Sequence, residues 1–174
     1  MPTTSASSLD LAQFSARYVA AWNSHDAAAI GDLVTADVVY EDPALPEPAR
    51  GPAALQAFMR RAWAAFPDLR FDEGDDPHLT VDGDRVAWAW RMRGTNTGPI
   101  DPPGFAPTGR AIEIEGVDLW TMRDGRIARL RVLYDFNALA VQLGLAPARG
   151  SRMEKAAVAL QRLRARVTTR RRGA

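Results

Sequence analysis

The sequence predicts an α+β domain: helices first, then a curved antiparallel sheet that those helices wrap as a cone, and a helical extension at the C-terminus. Three observations predict it. Apolar residues recur at intervals of three and four up to residue 66, two Asp-Gly pairs then punctuate long strand-like runs, and a basic segment of helical periodicity ends the chain. With 174 residues, 47% of them hydrophobic and 25% charged, there is material for one domain around one core.

The elements follow in order. Residues 1–8 read as an unstructured N-terminus and 9–146 as the domain. Leu11, Phe14, Tyr18 and Trp22 give the segment Leu9–Asn23 an aromatic inner face, the mark of an amphipathic helix. A short helix is expected over Asp26–Val34 and a strand over Asp37–Asp42, which Pro43 stops. After the proline-rich PALPEPARG, Gly51-Pro52 suits a helix start, and Leu55, Phe58, Met59, Ala62 and Phe66 mark its buried side. Strands are then expected at Leu69–Val81 and Arg85–Thr97 around VDGD, and at Arg110–Arg123 and Arg126–Phe136 around RDGR. Between the two hairpins, GPIDPPGFAPTG is too rich in proline and glycine for regular structure. A helix at Asn137–Gly144 closes the domain.

Composition narrows the chemistry. Without cysteine the chain has no disulfide, thiolate nucleophile or zinc ribbon. Its only lysine, Lys155, lies in the tail, so the domain has no Schiff-base lysine. Two histidines, His25 and His78, make a multi-histidine metal site improbable, and both read as loop or outward positions. GxSxG, P-loop and GxGxxG patterns are missing. Carboxylates, assisted by arginine, tyrosine and tryptophan, remain for acid–base work, with no cofactor and no metal expected. No apolar run approaches the ~20 residues of a membrane span, and MPTTSASS lacks the pattern of a signal peptide, so a cytoplasmic protein is expected.

If Asp124 and Gly125 form a two-residue turn, Asp118 faces Arg131, Trp120 faces Arg129, Gly116 faces Leu133 and Ile114 faces Asp135. That face resembles a pocket wall: carboxyls beside apolar side chains, with Arg131 holding Asp118 ionised and burial raising the pKa of Asp135. Two carboxyls pushed apart in this way can divide acid and base work. The competing reading is a solvated sheet face, with Asp135 capping the next helix.

The stretches YVAAWNSHD, TADVVYEDP, RGPAALQAF, AFPDL, GTNTG, APTGR, MRDGRI and LYDFNALAVQLG, in that order, resemble the SnoaL-like polyketide cyclases and ester cyclases of the nuclear transport factor 2-like superfamily. The resemblance implies an α+β cone, often a homodimer through the sheet, with Asp135 as general acid/base in a hydrophobic cavity. It implies a small hydrophobic carbonyl compound as ligand and an isomerase-like or intramolecular aldol reaction without cofactor. Asp118 and Arg131 join Asp135 as candidate catalytic residues. Tyr18, Trp22, Tyr40, Trp90, Asn96, Ile114, Trp120 and Leu133 are candidate ligand contacts. Two alternatives stay open: a non-catalytic binding or assembly module of the same fold, and a relative of the limonene epoxide hydrolases, which carry an arginine four residues before a terminal aspartate, as Arg131 and Asp135 do.

Residues 147–174 form a separate basic tail. Residues 149–174 carry nine basic groups and one acid, a net of +8, whereas the preceding 148 carry −7. Met153, Ala157, Leu160, Leu163 and Val167 fall on one helical stripe. The tail reads as a helix docked on this domain or on a second subunit. Membrane or nucleic-acid contact is the less favoured reading, and without aromatic residues stacking on bases is unsupported.

Overall fold

The computed structural model describes residues 10–72, 80–82 and 84–172. The expected unstructured segment 1–8 and His78 lie outside the described residues. Helix α1 spans Leu11–Asn23, capped by Asp10, whose side chain accepts from Gln13 N at 3.0 Å. It buries Phe14, Tyr18, Val19 and Trp22. The segment expected as a second helix is a 3₁₀ helix, Ala27–Leu33. Its three-residue repeat sets Ala27, Ile30 and Leu33 in one row, and all three are buried. Helix α2, Gly51–Ala65, buries Leu55, Met59 and Trp63, while Phe58 and Ala62 pack at the core margin.

The strands are β1 (Val34–Glu41), β2 (Ala49–Arg50), β3 (Arg70–Phe71), β4 (Thr80–Asp82), β5 (Arg85–Thr95), β6 (Ala111–Arg123) and β7 (Arg126–Tyr134). They form one sheet in the order β2-β1-β7-β6-β5-β3, with β4 also paired to β5. Of the expected strand Leu69–Val81, β3 and the start of β4 are strand, and residues 73–79 lie outside the described residues. Pairing is antiparallel except between β1 and β7, which run parallel. That departs from the wholly antiparallel expectation because no tight turn joins β1 to β7, so nothing local fixes their relative direction. Helices α3 (Phe136–Gln142) and α4 (Arg152–Arg172) complete the chain.

Alternation along β5 and β6 decides what the sheet presents inward. Val86, Trp88, Trp90, Ile112, Ile114, Asp118 and Trp120 are buried, whereas Arg91, Arg93, Glu113 and Glu115 are exposed on the other face and pair with one another. Asp124 and Gly125 form the β6–β7 turn with φ of 52° and 71°, as a mirror-image hairpin turn requires. Next to the turn, Arg123 faces Arg126 and Met122 faces Ile127, as expected. A bulge then shifts the register: Thr121 faces Arg129, and Ala128 is the extra residue.

From the bulge onward every partner differs from the expectation. Asp118 faces Val132, Trp120 faces Leu130, and Gly116 faces Tyr134. A one-residue slip moves a strand's side chains to opposite faces. Leu130, Val132 and Tyr134 turn inward, and Arg129, Arg131 and Leu133 turn outward. The spacing of Ile127 and Leu130, three apart rather than two, is the trace of the bulge in the sequence.

Asn96 anchors the loop between β5 and β6. Its Nδ2 donates to Ala65 O at 3.1 Å and Gly98 O at 2.8 Å, and its Oδ1 accepts from Thr108 N at 2.8 Å and Thr108 Oγ1 at 3.1 Å. The fully buried amide therefore ties the end of α2 to both ends of the loop. Its hydrogen-bonding capacity is used internally, which corrects the expectation that it holds a ligand carbonyl. Asn96→Ala should lower unfolding free energy by about 2–4 kcal/mol, because three partners lose their bonds in a buried place. Urea denaturation measures this, and an unchanged midpoint would contradict the anchoring role.

Candidate functional site

A carboxyl group in a hydrophobic core needs donors, and Asp118 has them. It is 3% exposed on β6, with Trp90 Nε1 donating to Oδ1 at 2.8 Å and Trp120 Nε1 to Oδ2 at 3.4 Å. The Tyr18 hydroxyl beside it is a third donor to the ionised form. Burial outweighs these bonds and raises the Asp118 pKa from 3.8 to about 7, with the Asp42 charge adding to the rise. Tyr18 is pushed well above its ordinary value, first by burial and then by the Asp118 charge. Near neutral pH Asp118 is therefore partly protonated, and Tyr18 keeps its proton.

The surroundings are aromatic. Tyr18 lies 5.4 Å from Trp88 and 5.2 Å from Trp120, and Trp88 and Trp120 are 5.5 Å apart, ring centre to ring centre. Trp90 reaches Asp118 diagonally across the β5–β6 pair because it lies over Gly116, its direct partner. A Cβ on residue 116 would come within 2.2 Å of the Trp90 ring, so glycine there is what lets the indole aim at the carboxyl.

A second carboxyl completes the network. Asp42 follows β1 and accepts from Tyr40 Oη at 2.9 Å, Tyr134 Oη at 3.1 Å and Ala44 N at 2.7 Å. Burial raises its pKa, against the opposing effect of those three donors. Burial together with Asp42 raises both tyrosines as well. Asp118 feels the charge of Asp42, Tyr40 feels both, and the Asp42 end is half-buried where the Asp118 end is enclosed. Asp42 and Tyr134 are not among the site residues that the sequence predicts. Val38, Tyr40 and Asp42 alternate along one strand face, which is the signal for Asp42; Tyr134 comes inward through the bulge.

The other expected site residues divide. Tyr18, Trp22, Tyr40, Trp90, Ile114 and Trp120 are all buried in this core. Asp135 is not. It is exposed and caps α3, accepting from Ala138 N at 2.8 Å, so the expected buried acid at this position is corrected. Arg131 is exposed opposite Leu119, and Leu133 is 41% exposed opposite Val117; the bulge carries both away from Asp118. The Arg131–Asp118 pair and the epoxide-hydrolase grouping of Arg131 with a buried Asp135 are therefore not formed.

A hollow of about 680 Å³ lies at the β3–β5–β6 end of the sheet beside α3, lined in part by Asp68, Asp72, Arg93, Glu113 and Gln142. Its charges are engaged among themselves, Arg93 with Asp72 and Glu113, and it does not include Asp118. Among the described residues no group of three His, Cys, Asp or Glu could hold a metal ion, and no helix is long and apolar enough to cross a membrane.

Because the folded chain holds the Asp118 proton more tightly than the unfolded chain, folding stability is favoured at low pH and falls as pH rises from 3.8 through about 7. The loss amounts to roughly 4 kcal/mol. Asp118→Asn has no such proton, so its stability relative to the parent chain should climb across that interval. Denaturant midpoints at a series of pH values check this, and a constant difference would contradict the burial of an ionisable Asp118.

Comparison with known proteins agrees with this architecture. The SnoaL-like domain model matches residues 15–130. No curated protein matches the sequence. Among solved structures, TsrD from Streptomyces laurentii is 25% identical with a TM-score of 0.68, over 81% of this chain and 99% of that one. IdmH from Streptomyces antibioticus, a candidate polyketide cyclase, is 28% identical with a TM-score of 0.61, over 78% of this chain and 99% of its own. A Catenulispora acidiphila protein with a ketosteroid isomerase-like fold, crystallised with trimethylamine, shares the fold at 19% identity and a TM-score of 0.64, over 77% of this chain and 94% of that chain. The chain belongs to the SnoaL-like domain family.

Proposed function

We propose that this SnoaL-like protein binds a small, largely apolar carbonyl compound and moves a proton next to the carbonyl without a cofactor. The observation that carries the reading is the Asp118 carboxyl, enclosed among indoles with a pKa near 7. Protonated Asp118 and Tyr18 donate hydrogen bonds to the carbonyl oxygen and stabilise the enolate as charge develops there. Asp42, at the half-buried end, removes the α-proton as general base. Carboxyls of unequal environment divide the two roles, as two such groups do in ketosteroid isomerase.

The enolate carbon then has two outlets. It is reprotonated at another position by Asp42, giving isomerisation, or it attacks a second carbonyl of the same molecule, whose alkoxide takes the proton back. The second is an intramolecular aldol ring closure, and a ring-closing outcome is in keeping with the likeness to IdmH, a candidate polyketide cyclase. Trp63 Nε1 supports an oxygen-bearing ligand, since it is buried without an acceptor.

The test follows deuterium uptake from heavy water into a panel of apolar β-dicarbonyl compounds by NMR. The chain should accelerate exchange, and Asp118→Asn and Asp42→Asn should each lose about 10²-fold or more. Asp135→Asn keeps a capping side chain and should stay within about two-fold of the parent. Tight binding with no acceleration would instead make the protein a carrier of such compounds.

A further inference from the structure

Helix α4 is built to form and leaves its larger apolar side chains exposed. Ser151 Oγ accepts from Glu154 N at 3.0 Å, and the Glu154 carboxylate turns back to accept from Gly150 N at 2.5 Å, the S-x-x-E start of a stable helix. Yet every described side chain from Lys155 to Ala165 is exposed, and Met153, Leu160 and Leu163 are 61%, 49% and 58% exposed. Exposed leucines on a well-capped helix call for a partner surface.

Spacing says what kind. Met153, Ala156, Leu160, Leu163 and, by sequence, Val167 follow intervals of three, four, three and four. That is the 3.5-residue seam along which two helices pack knobs into holes. A helix lying on a membrane carries a wider apolar face, usually with aromatic anchors, and this segment has no aromatic residue.

Charge then sets the orientation. In a parallel pair the two C-terminal halves, each with arginines at 162, 164, 166, 170, 171 and 172 and no acid, would lie side by side. In an antiparallel pair the arginine-rich half of each helix runs along the partner's N-terminal half, where Arg152, Glu154 and Lys155 sum to only +1. A helix of 21 residues is about 32 Å long, so its end also reaches back toward the partner's domain. That domain carries −7 against the +8 of residues 149–174. We propose that α4 is a pairing element that joins two copies of this chain through an antiparallel helix seam, independently of the chemistry at Asp118.

The chain has no cysteine, so single-cysteine variants report cleanly. Ala156→Cys and Val167→Cys chains, one enlarged with a tag, are mixed and oxidised at low and high salt. Mixed 156–167 dimers should predominate, and less strongly at high salt. Leu160→Glu with Leu163→Glu in the same backgrounds should lower their yield about ten-fold or more, whether or not the domains also associate through the sheet. Predominant 156–156 and 167–167 dimers would overturn the antiparallel pair. So would absence of cross-linking, whether or not the full chain co-sediments with phosphatidylserine vesicles.

Discussion

The Asp118 carboxyl, held inside the sheet by two indole N–H groups, is the constraint around which the remaining features make sense. Placing an acid among Trp88, Trp90, Trp120 and Tyr18 is unfavourable unless donors are in position first. Those donors come from three elements: Tyr18 on α1, Trp90 on β5 and Trp120 on β6. The helix layer and the sheet are thereby tied to one group. Gly116 belongs to the same device, since it clears the space through which Trp90 reaches the carboxyl.

The bulge at Ala128 is the second determinant. It converts a hairpin that would face Asp118 with a guanidinium into one that faces it with Val132. With Arg131 opposite, the carboxylate would stay ionised and serve as half of an ion pair; opposite valine it retains its proton to near neutral pH. One inserted residue thus decides between a structural salt bridge and a proton donor. The same shift brings Tyr134 inward to Asp42 and links β7 to the second carboxyl.

Much of the architecture was legible from the residues themselves. The three-and-four spacing of Phe14, Tyr18 and Trp22 identifies α1, Gly51-Pro52 opens α2, and Asp124-Gly125 sets the last hairpin turn. The site was legible in part. Buried aromatics and Asp118 follow from alternation along β5 and β6, but the partners of β7 do not, because a turn fixes register only as far as the first bulge. Asp135 shows the other limit: an aspartate before a helix reads equally as a buried acid or as a cap, and exposure decides for the cap. Asp42 closes an alternating run that a proline ends, so its burial depends on Tyr134 arriving from a distant strand.

The account rests on Asp118 keeping its proton to near neutral pH, and carbon-13 NMR of the labelled carboxyl measures that most directly. The account predicts a titration midpoint near 7 in the parent chain and a higher one in Trp90→Phe, which removes a donor to the ionised form. A midpoint close to 3.8, unmoved by that substitution, would contradict it.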